Sequence, residues 1–359
     1  MKSNGYRKVI IKGIEGRVAF TLERYQRSGD FFSLSKQFVK GLESKGLKKW
    51  IKLELPHKSY SEVSASLEIL SGEVLYSGNH LSEKAKLYAK EINESVIKSY
   101  DNMQLFIPFS EPNIAIYDSK SDEILLFDDA IGVKRQKEKR VKDYKKVLKT
   151  VQTDVLEVQK PTGTFEYITV GCDVKNWDIE TALLCWVCFN YGQQKLPIVA
   201  ITDGARAIRN RLWSIFGGQV VIILDWYHLK KKMRELLSMV AYGKEQKEEH
   251  LKILMPLLWE GKTDDCLNYV KTIKPRNQIK FDELIDYLTK HKEEIIDYKR
   301  RKEAKKTIGS GRAEKGVDLV VAQRQKRNAA RNKPIAWSED GSHALAILRA
   351  DDYNKKRAA

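Results

Sequence analysis

Three aspartates in this chain come directly after runs of apolar residues. The runs ILLF, VAIT and VIIL precede Asp128, Asp203 and Asp225, and a further acid, Glu314, follows much later in the segment GSGRAE. An apolar run of this length is typical of a strand that is buried on both faces. An aspartate just beyond such a strand lies at the carboxyl edge of the sheet, where open α/β sheets bind their ligands. These acids could therefore converge to hold a divalent metal ion.

The basic residues are concentrated in two stretches. Of the 359 residues, 65 are Lys or Arg and 48 are Asp or Glu. Lys134–Lys149 contains nine basic and two acidic residues, and Lys299–Arg331 contains twelve and three. One such run is usually a solvated face, but two runs that flank the acids favour a polyanion, most simply nucleic acid. The side chains that we expect to contact it are Arg135, Lys139, Arg312, Arg324 and Arg327.

The four cysteines do not indicate a metal site. Cys185 and Cys188 form a C-x-x-C motif inside an apolar run, without a second pair or a neighbouring histidine. We interpret them as small buried hydrophobic residues rather than zinc ligands. The N-terminus has no apolar leader, and no stretch approaches the roughly 18 consecutive apolar residues of a membrane-spanning helix. We therefore expect a soluble, cytoplasmic protein.

The first 108 residues have the pattern of a mostly helical region that is separate from the rest. Tyr60–Leu70 has helical spacing, Ser71-Gly72 breaks it, and Leu81–Tyr100 resumes it. This is the outline of a DNA-binding helix-turn-helix, although ordinary helical hairpins share it. The segment Pro108–Pro112 is a plausible domain boundary.

Beyond that boundary, the elements alternate in a recognisable order. Ile124–Asp128 is a predicted strand, and two further segments, Val151–Val158 and Phe165–Val170, form a predicted hairpin. A helix capped by Asp178, a buried strand at Pro197–Thr202, a second helix and a last strand follow. The predicted order is β-β-β-α-β-α-β and then a helix, which is the order of the ribonuclease H-like fold.

Longer segments of the chain resemble the DDE transposases of bacterial insertion sequences, in the broad mutator-like group. The resemblance rests on ITDGARAIRNRLWSIFG, VVIILDWYHLKKK, IGSGRAEKGVDLVVAQRQKRN and AWSEDGSHALAILRA. It covers roughly residues 114–349, and its most specific parts are the TDG after a buried strand and the D-x-x-H of Asp225 and His228. It implies a catalytic core in residues 109–229 and 309–359, interrupted by a helical insertion at 230–308.

By this resemblance, Asp203 is the second catalytic acid and Glu314 is the third. The family has Asp-Gly just beyond the first strand, whereas this chain has Asp128-Asp129-Ala130. Comparison with the family pattern favours Asp129 as the first acid, with Asp128 as the alternative. Three carboxylates can hold Mg²⁺, with Mn²⁺ as a substitute, because hard cations prefer oxygen ligands.

Each of these residues also has a structural interpretation. Asp203 could cap the helix that starts near Ala205, and Glu314 could be an ordinary acid in the first turn of a helix. A histidine such as His228, at the start of an amphipathic helix, is often structural. The resemblance instead puts Asp225 and His228 beside the metal, where Asp225 could be a further ligand and the histidine could contact the scissile phosphate or orient a carboxylate.

The resemblance implies a transposase that binds the terminal inverted repeats of its element through residues 1–108. It would act on double-stranded DNA as a homo-oligomer associated with the bacterial nucleoid. Trp337, in a polar loop, could stack on an unpaired base, with core packing as the alternative. Two other functions fit the sequence: an inactive DNA-binding protein derived from a transposase, and a structure-specific nuclease of the same fold.

Overall fold

The N-terminal segment forms a small antiparallel sheet rather than the helices that we expected. The computed structural model describes residues 2–27, 30–33, 43–101, 115–137, 149–172, 174–192, 198–326 and 335–358. The small sheet consists of β1 (Lys2–Gly13), β2 (Gly16–Arg27) and β3 (Asp30–Ser33) in that order. Alternating β-branched and aromatic residues favour strands here, and the pair Gly13–Gly16 closes a two-residue hairpin turn.

Three capped helices follow the small sheet. They are α1 (Lys45–Glu54), α2 (Tyr60–Ser71) and α3 (Gly78–Ser99), and serines at the three N-caps accept backbone hydrogen bonds. The break expected at Ser71-Gly72 is present, because Gly72 ends α2 in the left-handed conformation with φ 70°. Tyr60 to Tyr100 is therefore a helical hairpin, as the sequence outline predicted.

These helices are not a separate unit. Buried residues of α1 to α3, such as Leu47 and Leu67, belong to the same hydrophobic cluster as Val133, Val155 and Leu345 from the rest of the chain. The helices of the N-terminal region therefore share a hydrophobic core with later elements of the chain. The predicted boundary at Pro108–Pro112 lies outside the described residues.

A five-stranded mixed sheet forms the centre of the molecule, which has a mixed α/β fold. Its strands are β4 (Ile124–Lys134), β5 (Thr150–Gln159), β6 (Phe165–Ile168), β7 (Ile198–Thr202) and β8 (Val220–Leu224). The spatial order is β6-β5-β4-β7-β8. The first three strands pair antiparallel, and β4, β7 and β8 pair parallel. Helices α4 (Ile179–Tyr191) and α5 (Arg206–Phe216) connect the later strands.

The central strands are buried on both faces, as their continuous apolar runs predicted. All five residues of β7 are buried. Because side chains alternate along a strand, Leu126 and Ala200 pack on the face covered by α4 and α5. Phe127 and Ile201 pack on the opposite face. The same alternation of side chains determines on which face of the sheet the residues that follow each strand lie.

Helices cover this second face. They are α6 (Trp226–Val240), α7 (Lys244–Trp259), α8 (Thr263–Val270), α9 (Gln278–Lys290) and α10 (Tyr298–Glu303). Helix α11 (Gly311–Val317) continues through a π-helical turn, Asp318–Ala322, to Gln325, and α12 (Glu339–Ala358) is the last helix. Trp259 packs against Trp226 and Tyr298, so it belongs to the core of this layer.

The four cysteines are buried, as expected for small hydrophobic residues. No helix in the described part of the chain is both long and apolar enough to cross a lipid bilayer.

A buried arginine joins the helical layer to the start of β4. The Arg301 side chain is fully buried, and its guanidinium donates to the carbonyl oxygens of Thr307 at 2.7 Å and Ile116 at 2.9 Å. It also pairs with Glu123 at 2.5 Å, and Lys306 pairs with the same carboxylate at 2.9 Å. Every polar group of this cluster thus has a partner, which is the condition under which buried charge is tolerated.

We expect Arg301→Met to lower the free energy of unfolding by about 3–5 kcal/mol, because it leaves Glu123 with only part of its compensation. Urea denaturation measures the loss. The matched control is Arg300→Met in the same helix, whose exposed guanidinium lies 4.8 Å from the Tyr117 ring; it should cost less than about 1 kcal/mol. Equal losses for the two variants would contradict the importance of the buried pair.

Candidate active site at the carboxyl edge of the sheet

Two of the predicted acids lie side by side at the carboxyl edge of the sheet. Phe127 of β4 is paired with Ile201 of β7, and Asp129 and Asp203 each follow two residues later. The two aspartates therefore continue the same face of the sheet at the same level. Asp203 is exposed, and its Oδ1 accepts a hydrogen bond from the backbone of Ala205 at 2.8 Å. The helix cap itself is Ala205, so Asp203 forms a tight turn before α5 rather than its N-cap.

Asp128 faces the other side of the sheet. Its carboxylate is buried, and both of its oxygens accept hydrogen bonds from Nη1 of Arg211, Oδ1 at 3.2 Å and Oδ2 at 3.0 Å. Arg211 also pairs with Asp154 at 2.9 Å. Burial raises the pKa of Asp128 to about 7, although Arg211 acts in the opposite direction. Asp128 thus forms a structural ion pair with Arg211, whereas Asp129 points toward Asp203.

Asp225 has a structural role at the start of two helices. It caps α6 by accepting from the backbone of His228 at 2.8 Å, and its other oxygen accepts from the backbone of Ser310. Its own backbone N–H donates to Thr202 of the neighbouring strand at 2.8 Å. Burial tends to raise the pKa of Asp225, but the hydrogen bonds from His228 and Ser310 outweigh it and lower that pKa to about 2. The carboxylate is therefore charged and held in place.

The Ser310 contact brings the third acid to the site. Ser310 immediately precedes α11, and its carbonyl oxygen accepts from the backbone of Glu314 at 3.2 Å. The Glu314 side chain is 61% exposed, and its Oε1 lies 3.7 Å from Nε2 of His228. On the other side of the ring, Nδ1 lies 3.7 Å from Asp225. His228 therefore lies between a fixed, buried carboxylate and an exposed one.

The histidine is poised to carry a positive charge. The neighbouring Asp225 carboxylate raises the pKa of His228, and partial burial acts in the opposite direction. Nδ1 is buried and, among the described residues, has no hydrogen-bond partner at this separation from Asp225.

The acids repel one another across the edge. Burial raises the pKa of Asp129, and the charges of Asp203 and Glu314 raise it further, while the hydrogen bond from Ala130 and the charge of His228 lower it. Within the described residues, no three Asp, Glu, His or Cys side chains lie close enough together to share a metal ion. The donor chemistry still fits a hard cation, because the three carboxylates offer oxygens, and the side chains of Asp203 and Glu314 are exposed.

The backbone conformation and the close packing at position 204, in the TDG motif, both require glycine. Gly204 has φ +84°, and a Cβ at this position would lie 2.7 Å from the ring of His291 and 2.8 Å from Leu224. His291 is buried and hydrogen-bonds to Glu294 at 2.6 Å, so its ring is held in place. Only glycine lets the chain turn here while the Asp203 carboxylate stays at the edge.

Two of the residues predicted to bind nucleic acid are buried. Trp337 is 8% exposed, and its indole N–H donates to the carbonyl oxygen of Gln325 at 3.0 Å. The alternative of core packing therefore describes Trp337, and stacking on a base does not. Arg324 is also buried, between the rings of Tyr60 and Trp337, and burial lowers its pKa. It is not a surface contact for phosphate.

The other predicted contacts differ in their surroundings. Arg135 pairs with Glu339 at 2.6 Å and is largely covered. Arg312, two residues before Glu314, is about half exposed and lies 4.0 Å from the ring of Phe165. Lys139 and Arg327 lie outside the described residues. Of this set, Arg312 has the position closest to the acids along the chain.

Sequence reasoning did not identify Tyr227 as a residue of the site. Its side chain is 65% exposed, and its ring lies against the backbone of Gly309, at the rim of the site. The signal was present in its spacing, because Tyr227 falls outside the buried stripe of α6, which contains Leu229, Met233 and Leu236. Arg211 was missed as well, since nothing in the sequence indicates its partner Asp128.

The comparisons with known proteins name no relative. No protein-family model matches the chain, and no curated protein is significantly similar to it.

We expect Gly204→Ala to destabilise the protein by more than the roughly 1–2 kcal/mol that a left-handed conformation costs a residue with a Cβ. The additional loss comes from the contacts with His291 and Leu224. The matched control is Gly72→Ala, at φ +70° with open space around it, which should show the conformational cost alone. Thermal and chemical denaturation of both variants measure the difference, and similar losses would show that the close approach does not matter.

Proposed function

We propose that the protein is a DDE-type transposase that cuts and joins DNA with Asp129, Asp203 and Glu314. The observation that carries this proposal is that Asp129 and Asp203 follow paired residues of neighbouring strands, while His228 of the next helix lies 3.7 Å from Glu314. The three acids come from β4, from the end of β7 and from α11, which is the order of acids that the motif resemblance implies. The partial exposure of the edge supports a large substrate such as DNA.

The sheet supports a ribonuclease H-like catalytic core. Three antiparallel strands are followed by two parallel ones, in the spatial order β6-β5-β4-β7-β8. The first acid lies on the central strand, and the second follows the adjacent parallel strand. The helices between β8 and α11 begin at Trp226 and overlap the segment 230–308 in which we expect a helical insertion. This arrangement supports the fold assignment independently of the motifs.

Asp129, Asp203 and Glu314 would hold Mg²⁺, which supplies charge stabilisation for the attacking and leaving oxygens in phosphoryl transfer. The residues of the chain itself have separate tasks. Asp225 fixes the starts of α6 and α11, and through them the positions of His228 and Glu314. His228, with its raised pKa, can donate a hydrogen bond to a non-bridging phosphate oxygen.

The attacking group would be water in strand cleavage and a DNA 3′-hydroxyl in strand joining. Recognition of the ends of the element by the helical hairpin of α2 and α3 belongs to the same proposal. Because these helices share their core with the rest of the chain, recognition has to be measured on the full-length protein. We further propose that two or more copies act together on DNA.

The first test concerns the exposed acids. Asp203→Asn and Glu314→Gln should each abolish Mg²⁺-dependent cleavage of DNA that carries the ends of the element, with Mn²⁺ as an alternative metal, and should leave the melting temperature nearly unchanged. Each substitution removes a charged oxygen ligand without changing shape. The control is Glu245→Gln, an exposed acid on α7. Cleavage at near wild-type rate in either site variant would refute the mechanism. Cleavage without joining by the wild type would favour a nuclease.

The second test separates the two neighbouring aspartates. Asp129→Asn should abolish cleavage with little loss of stability, because its carboxylate faces the other acids. Asp128→Asn should instead lower the melting temperature, because it weakens the buried pair with Arg211. Cleavage rates of the folded fraction and melting curves are measured on the same preparations. Loss of activity in the Asp128 variant alone would reverse the assignment.

A further inference from the structure

One exposed face of α6 combines an aromatic ring with basic side chains beside the acids. Tyr227, Lys231 and Arg234 are exposed, and their spacing of four and three residues places them in one row along the helix. His228 is three residues from Lys231 and borders this row. The opposite face of α6 is buried in the core. The row therefore begins at the active site and leads away from it.

The cations of this row are available to a ligand. Lys231 and Arg234 form no ion pair or hydrogen bond with the described residues, whereas Lys232, on the flank, is paired with Glu283 at 3.0 Å. The single acid of α6, Glu235, lies 3.8 Å from Lys232. Positive charge on the row is thus left without a counterion from the part of the protein that the structure describes.

We propose that this row binds the DNA strand that leaves the active site, with Lys231 and Arg234 on successive phosphates and Tyr227 against the base nearest the acids. The inference rests on the proposed function, since it takes the scissile phosphate to lie at Asp129, Asp203 and Glu314. In this proposal the α6 row, and not the buried residues Arg324 and Trp337, supplies the nucleic-acid contacts near the site.

The dimensions and charge of the row fit a nucleic-acid strand. From Tyr227 to Arg234 the helix rises about 10 Å, which corresponds to roughly three nucleotides of one strand. The charge of the row is opposite to that of the phosphates, and it continues directly from the edge where the proposed chemistry takes place. The Tyr227 ring is supported from behind by Gly309, so its exposed face can stack on a base without losing its position.

The test measures binding of the full-length protein to labelled random-sequence DNA, single-stranded and duplex, over a salt series in EDTA, so that no cleavage occurs. For the double variant Lys231→Ala with Arg234→Ala, the slope of log affinity against log salt should fall by about 1.8 for duplex and about 1.4 for single strands. Tyr227→Leu should weaken binding to single strands by about tenfold, and Tyr227→Phe should retain it, because stacking needs the ring and not the hydroxyl.

The matched control is Lys244→Ala with Lys252→Ala, two exposed lysines on α7 that lie away from the acids in the chain. It removes the same charge and should leave the slope unchanged. An unchanged slope in the α6 variant, or an equal change in the control, would overturn the inference. If Asp203→Asn still abolishes cleavage in that case, the proposed function stands and only the path of the strand is wrong. If the wild type binds neither DNA, both proposals fail.

Discussion

The carboxylate of Asp225 is the interaction on which the arrangement of the edge depends. It is buried at the end of β8, and it accepts from the backbone at the start of both α6 and α11. A buried charge is costly unless its hydrogen bonds are satisfied, so the two helix starts and the carboxylate stabilise one another. His228 and Glu314 belong to these two helices. The buried Asp225 carboxylate therefore determines where these two more exposed side chains lie.

Much of the sheet and its edge could be predicted from the sequence, because it depends on local patterns. Continuous apolar runs predict β7 and β8. The alternation of strand patterns and helix patterns along the chain predicts the order of these elements. The closeness of Asp129 and Asp203 follows once β4 and β7 are known to be parallel neighbours. The choice between Asp128 and Asp129 needed the structure, since strand alternation identifies opposite faces but not which face the later helices cover.

The missed N-terminal strands and the misplaced arginines have a common physical origin. The N-terminal strands were missed although their apolar residues alternate, and the small sheet leaves side chains such as Val18 and Phe20 exposed rather than buried in a core. Charge counts also do not distinguish a solvated arginine from a buried one. Arg301 and Arg324 belong to the same basic stretch as Arg312, yet the first two are inside the protein. Only tertiary packing separates these cases, because long side chains reach partners that are distant in sequence.

The contact between Asp225 and Ser310 joins residues that are 85 positions apart. Closing a flexible loop of that length costs about 4 kcal/mol, but each doubling of its length adds only about 0.6 kcal/mol. The site therefore constrains the positions of Asp225 and Ser310, and it constrains the path of the segment between them only weakly. Surface parts of the intervening helices can be lengthened, shortened or exchanged over evolutionary time with little penalty at the edge, which makes this segment the natural place for the protein to acquire new surfaces.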